Sequence, residues 1–232
     1  METSCQEIIA SRVAGLIAAE VASNPSICLG LPTGRTPAKM YAELVKLSRQ
    51  NNLDWSRVCG FALDEYLDVD ETQSFSHYLS VNLYDGVGLP AANRFNPSES
   101  GDDYDALIAA RGGLDITILG IGLNGHIAFN EPGTPAESWT HSIVLTPSTI
   151  DANRELFKGA GRIPTRAVTM GISTILGSRR IILMAFGEKK RSILDQALTG
   201  PISPEIPASF LQQHDSLQVF TDFERAQACR LD

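Results

Sequence analysis

Four short apolar runs, at residues 26–31, 58–63, 115–119 and 180–186, each end abruptly in polar or glycine-rich residues. Between and around them lie stretches with apolar residues at helical spacing, at 7–21, 37–47, 75–84, 102–110, 149–157 and 188–198. Short apolar runs bounded by turn residues read as buried strands, and strands alternating with helices imply a mostly parallel α/β sheet covered on both faces. In such a sheet the carboxyl ends of the strands lie along one edge. The segments 32–37, 64–66, 122–133 and 187–190 are therefore expected to meet in one crevice. A shorter strand at 142–145, a helical turn at 207–212, a last strand at 217–221 and a last helix at 222–229 complete the reading, with Ser100 or Asp102 as cap of the helix at 102–110. No internal repeat or linker interrupts residues 1–232, so one domain is expected.

A net charge of −8 without any block of like charge argues against a nucleic-acid binder, which needs a basic face. It leaves an anionic small molecule open, because a phosphate pocket is a local arrangement of amides and one or two cations. Cys5, Cys28, Cys59 and Cys229 form no C-x-x-C pair, and Cys28 and Cys59 lie inside apolar runs as small buried hydrophobes. The start METSCQEIIA lacks a basic leader, and the apolar stretch 13–22 is too short to span a bilayer. A soluble, cytoplasmic protein with no membrane contact is expected.

The candidate chemistry sits at the strand ends. The turn PTGRTP (residues 32–37) joins a strand to a helix, with Thr36 as expected N-cap and Pro37 at the first helical position. Such a turn either cradles a phosphate, with Thr33, Gly34, Arg35 and Thr36 around it, or is simply a tight connection that needs Gly34. Asp64 and Glu65 follow the second apolar run, and alternation along a strand lets only one of them face the crevice. Asp64 is the favoured base, against the plain reading of a cap or a solvated charge. Asn124, His126 and Glu131 share the loop GLNGHIAFNEPG, where His126 is either a general base near neutral pH or a hydrogen-bonded structural histidine. Lys190 either belongs to a solvated basic face with Lys189 and Arg191 or clamps a phosphate from across the crevice.

Other chemistries fit poorly. The stretch from Gly120 to Gly125 matches G-x-G-x-x-G, yet it runs into a loop and lacks the acidic partner of a dinucleotide site. No H-x-x-H or H-E-x-x-H spacing suggests a metal, and no G-x-S-x-G elbow suggests a serine hydrolase. His77, His141 and His214 have no second feature near them and read as structural or surface residues.

The stretches LPTGRTPAKMY, FALDEYLDV and LGIGLNGHIAFNEPGT, in this order, closely resemble the glucosamine-6-phosphate deaminase/isomerase family, and TPSTIDAN, TMGISTIL, MAFGEKK and EIPASFLQQH fit it as well. The resemblance covers nearly the whole chain. It implies a Rossmann-like doubly wound sheet and conversion of an amino-sugar 6-phosphate and water to a ketose 6-phosphate and ammonia, without metal or organic cofactor. It further implies that Asp64 moves a proton between C2 and C1 of the open-chain sugar. His126 would assist ring opening, with Glu131 orienting it and Asn124 assigned to the same step. Thr33, Gly34, Arg35, Thr36 and Lys190 would hold the phosphate.

Two departures stand out. Arg35 occupies a place where the family usually has Gly or Ser, and Arg154 is shifted by one residue from the common Asn-Ser-Arg pattern. The short C-terminus lacks the extension of the hexameric, allosterically regulated members, so a small unregulated enzyme, monomer or small homo-oligomer, is expected. The galactosamine 6-phosphate enzymes are the near alternative, since the two sugars differ only at C4. A 6-phosphogluconolactonase, which lacks the DEY base, and a catalytically silent sugar-phosphate-binding regulator are the more distant ones.

Overall fold

The computed structural model describes residues 4–97, 103–157 and 163–223. Its main sheet has six strands, β1 (Cys28–Leu31), β2 (Cys59–Ala62), β4 (Arg94–Phe95), β5 (Ile116–Leu119), β8 (Arg180–Ala185) and β9 (Leu217–Thr221), in the order β4-β2-β1-β5-β8-β9. Every pairing in it is parallel. The chain first builds outward from β1 through β2 to β4, then crosses to the other side of β1 to place β5, β8 and β9. The strand order therefore reverses between β1 and β5, the switch point where open α/β sheets leave a crevice at the strands' carboxyl ends.

Alternation along the strands feeds two cores. Leu29, Leu31, Ile116, Ile118, Ile182 and Met184 face the cluster with helices α1 (Cys5–Ser23) and α2 (Arg35–Gln50). Cys28, Phe61, Leu119, Ile181, Leu183 and Ala185 face the other cluster. That second cluster holds residues of helices α4 (Tyr104–Ala110), α6 (Ile172–Leu176) and α7 (Arg191–Thr199). Strands covered on both faces can be apolar throughout, and this is why they read as continuous runs in the sequence. The fold is a Rossmann-like doubly wound α/β sheet. Cys28 and Cys59 are free, buried thiols in register across β1 and β2.

A smaller antiparallel sheet, β3-β7-β6, stands against the crevice. It joins β3 (Asp64–Tyr66), β7 (Arg166–Thr169) and β6 (His141–Val144). The strand expected at 142–145 is β6, one residue earlier. The sequence reading missed β3 and β7, because Asp64-Glu65-Tyr66 looks like a polar loop and Arg166 breaks the apolar pattern. It also missed the two-residue β4.

Other boundaries move for local reasons. Helix α2 begins at Arg35 with Gly34 as its cap, so Thr36 is not the N-cap and Pro37 sits in the first turn rather than at the first position. The run 75–84 is helix α3 (Phe75–Leu79) followed by a π-helical stretch, Ser80–Tyr84. The helix expected at 149–157 starts earlier, as α5 (Pro147–Asn153) capped by Thr146, and tightens to a 3-10 turn at Arg154–Phe157. The segment at 188–198 opens with a 3-10 turn, Glu188–Lys190, before α7. Ser100, Asp102 and most of the helix expected at 222–229 lie outside the described residues. Among the described residues no helix is long and apolar enough to cross a membrane.

Close strand-to-strand packing at the switch point depends on Gly30. A Cβ there would lie 2.6 Å from Thr117 Oγ1 on β5, whose hydroxyl is hydrogen-bonded to Ser178. Gly30→Ala is expected to destabilise the protein by about 1–3 kcal/mol through overpacking. Thermal unfolding should show a midpoint lower by roughly 2–10 °C, and an unchanged midpoint would contradict the packing described.

Candidate active site

A cavity of about 590 Å³ opens at the switch point. Its lining includes Thr33, Gly34 and Arg35 after β1, Asp64 after β2, Asn124 and His126 after β5, and Lys190 after β8. Parallel pairing alone brings these residues together, since each follows directly on a strand of the same sheet. Glu131 is buried behind the wall, within reach of three lining side chains, those of Asn124, His126 and Thr149. Thr36 lies in the first turn of α2 and does not line the cavity. Arg154 is exposed and pairs with Asp151 at 2.7 Å, away from the cavity lining.

Asp64 stands at the junction of the two sheets. The N–H of Leu63 donates to Leu31 in the main sheet, while the Leu63 carbonyl accepts from Met170 beside the small one. The strand then turns Asp64 into the cavity and Glu65 away from it. Glu65 accepts bonds from the backbone N–H groups of Tyr66, Phe75 and Ser76 and from the Asn96 amide. The Asp64 carboxylate is its opposite: buried, with Oδ1 lacking any hydrogen-bond partner among the described residues. Burial, and secondarily the neighbouring Glu65 charge, push the Asp64 carboxyl up to about 8. A carboxylate with raised proton affinity, facing a cavity, is the profile of a general base.

The loop after β5 is shaped by its glycines. A Cβ at Gly122 would lie 2.5 Å from the His126 ring, so glycine lets the imidazole fold back over the backbone. Gly125, at φ 86°, lies against Ile206, and its carbonyl accepts from Ala208 of the 3-10 segment Pro207–Gln213. Asn130 fastens the other side, its amide donating to the carbonyls of Ile127 and Met170. Ala128 holds φ 50° within the same loop, a left-handed conformation uncommon for a residue with a Cβ.

Glu131 organises the polar centre of this loop. Its Oε2 accepts from the Asn124 amide at 2.7 Å and stands 3.5 Å from His126 Nδ1, too far for a good hydrogen bond. Its Oε1 accepts from the Thr149 hydroxyl. Burial acts to raise the Glu131 carboxyl, yet His126, Thr149 and Asn124 outweigh it and hold the group below the usual carboxylate range. Asp64 and Glu131 thus have their proton affinities shifted in opposite directions, a division between base and fixed charge.

Two cations also line the cavity. Arg35 is exposed and Lys190 half-buried, and neither side chain has a hydrogen-bond or ion-pair partner among the described residues. Burial lowers the proton affinity of Lys190. The start of α2 beside Arg35 adds backbone N–H groups and the positive end of a sixteen-residue helix. Together these can hold a dianionic group. Among the described residues no cluster of three or more His, Cys, Asp or Glu side chains is placed to hold a metal ion.

Of the histidines without a second feature, His214 bonds to the Ser178 carbonyl and accepts from Ser216, and His141 bonds to the Trp139 carbonyl. Sequence reasoning overlooked Thr149 as a partner of Glu131, and Phe75 and Phe129 as apolar walls of the cavity. Only pairing across the chain reveals them.

The fold and the lining define a polar crevice at the switch point of an α/β sheet, and known proteins share this architecture. The description of the family Glucosamine-6-phosphate isomerases/6-phosphogluconolactonase matches residues 2–220. The chain belongs to that family. A glucosamine-6-phosphate deaminase of Lachnoclostridium phytofermentans is 39% identical over 225 residues, covering 93% of this chain and 95% of that protein. One from Rhodopirellula baltica is 41% identical, covering 93% and 90%. A solved monomeric glucosamine-6-phosphate deaminase superposes with a TM-score of 0.88 at 35% identity, covering 95% of both chains. A 6-phosphogluconolactonase from Trypanosoma brucei shares the fold with a TM-score of 0.72 at 18% identity.

The raised Asp64 carboxyl has a consequence for stability. Its affinity for a proton is higher in the folded protein, about 8 against an ordinary 3.8, so folding is favoured by protonation. Its contribution is most favourable below the ordinary value and is lost as pH rises through the folded one. Asp64→Asn removes this dependence, so the variant should gain stability relative to wild type from about pH 4 to about pH 8 and hold that gain above it. Melting curves at pH 5 and pH 9 should show a Tm difference larger by several degrees at pH 9 (roughly 2–4 °C for each kcal/mol). A pH-independent difference would contradict the burial argument.

Proposed function

We propose that this chain is a glucosamine-6-phosphate deaminase, converting glucosamine 6-phosphate and water to fructose 6-phosphate and ammonia. The observation that carries the reading is one cavity lined by a buried carboxylate of raised basicity, an imidazole backed by a second carboxylate, and two cations without partners among the described residues. The relatives near 40% identity bear that name over almost their full length. The lactonase likeness extends to the fold alone at 18% identity.

In this reading Arg35, Lys190 and the amides at the start of α2, with Thr33 and Gly34, hold the phosphate, and Thr36 contributes through its backbone. The phosphate does not react. It supplies binding energy that fixes the sugar over the base. His126 moves the proton from the anomeric hydroxyl to the ring oxygen as the bond from C1 to that oxygen breaks. Glu131 holds the imidazole through its charge, and Asn124 bridges the Glu131 carboxylate and the His126 backbone N–H. Asp64 then takes the proton from C2 while the carbonyl oxygen O1 takes one from the substrate's own ammonium group, giving an enolamine, and Asp64 returns its proton to C1 to form the ketose iminium. Water adds to the imine carbon and ammonia leaves. The sequence comprises ring-bond cleavage, proton transfers, water addition and ammonia loss, with His126 and Asp64 as the groups that move protons. The solved relative described as monomeric supports a single chain as the working unit, and the free buried thiols Cys28 and Cys59 suit the cytoplasm.

The deciding assay compares ammonia release from glucosamine 6-phosphate and from its C4 epimer. Release from the gluco substrate is expected. Preference for the epimer would move the assignment to the galactosamine 6-phosphate enzymes, and ammonia from neither, with lactone hydrolysis, would overturn it. In the same assay Asp64→Asn should abolish exchange of the C2 proton with solvent while phosphosugar binding stays within a few-fold of wild type. His126→Gln is expected to lower kcat by about 10²–10⁴ with a much smaller change in KM. Turnover at the wild-type rate would leave His126 a structural residue.

A further inference from the structure

An anion site must keep backbone carbonyl oxygens turned aside, because they repel the charge that the amides attract. In the loop after β1 two carbonyls are held by tyrosine hydroxyls. Tyr41 Oη donates to the Pro32 oxygen at 2.6 Å, and Tyr78 Oη donates to the Gly34 oxygen at 2.6 Å. In a trans peptide the C=O and the following N–H point in opposite directions. Fixing these two carbonyls therefore fixes the amides of Thr33 and Arg35 on the side away from the tyrosines. Both residues line the cavity.

The two tyrosines differ in origin. Tyr41 belongs to α2 itself and is fully buried in the core. Tyr78 comes from α3, a separate element whose start is tied to the Glu65 carboxylate through the N–H groups of Phe75 and Ser76, at 2.8 and 2.9 Å. Gly34 needs such a brace. It sits at φ 93°, caps α2 with no side-chain bond, and a Cβ placed on it would meet nothing within 4 Å. Burial pushes the Tyr78 phenol up to about 12, so it remains a donor through the neutral range.

We infer that Tyr78 is a positioning residue for the anion end of the cavity, its hydroxyl holding the Gly34 carbonyl so that the Arg35 amide is oriented for the substrate phosphate. Helix α3 then links the two ends of the site, since it is anchored beside the base through Glu65 and reaches the phosphate loop through Tyr78. This rests on the phosphosugar reading above.

The test is Tyr78→Phe, which keeps the ring that meets Tyr41 edge-on at 6.5 Å and removes only the hydroxyl. Two quantities are measured on wild type and variant: the Kd of inorganic phosphate by calorimetry, and KM and kcat for glucosamine 6-phosphate. Loss of one hydrogen bond predicts that Kd and KM rise together by about three- to tenfold, with kcat within about twofold. Wild type that binds phosphate, with an unchanged Kd and KM in the variant, overturns the role of Tyr78 and leaves the phosphosugar reading standing. A fall in kcat alone also overturns it, because the hydroxyl would then act on the chemical step. Wild type that binds neither phosphate nor the sugar phosphate overturns both.

Discussion

The peptide of Leu63 is the joint on which the rest of the site depends. Its N–H completes the parallel pairing of the main sheet, and its carbonyl accepts the bond that leads into the antiparallel one. A single residue held from both sides leaves the next one no freedom of direction. Asp64 is thereby fixed in a buried position without a partner for one of its oxygens, and Glu65, one residue on, is fixed with four donors. Two adjacent carboxylates thus acquire different chemistry from the pleat of a three-residue strand.

The second organising element is the Glu131 carboxylate, which gathers groups from separate parts of the chain. Asn124 and His126 approach from its own loop, while Thr149 approaches from α5. With these neighbours the buried Glu131 carboxyl is held below the usual carboxylate range. The opposite shift at Asp64 comes from the want of such neighbours. Burial acts to raise both groups, and the partners of Glu131 reverse the sign there.

Much of this was legible in the sequence because parallel strands announce themselves. The apolar runs 26–31, 58–63, 115–119 and 180–186 coincide with β1, β2, β5 and β8, and the residues after each line one cavity. Alternation showed that only one of Asp64 and Glu65 could face it, and the structure turns Asp64 there. The small sheet was not legible, since the pairing of β3 with β7 joins segments that look polar and lie far apart. The start of α2 was misplaced because Thr36-Pro37 carries the usual capping signal, whereas Gly34 caps by backbone conformation alone. Thr149 reads as an ordinary helix residue until the fold carries it to Glu131.

The register of the small sheet also has a consequence for the order in which the molecule matures. Asp64 is paired with Thr169, and Thr169 in turn accepts a bond from the N–H of Phe129 in the glycine-shaped loop. While the chain is being synthesised, β1 and β2 can meet early, but Asp64 gains its cross-strand partner only when β7 emerges. Phe75 and Phe129, which share the cavity with it, are made before that strand. The small sheet around this carboxylate is thus completed late, and fragments ending before β7 would carry the residue without its pairing.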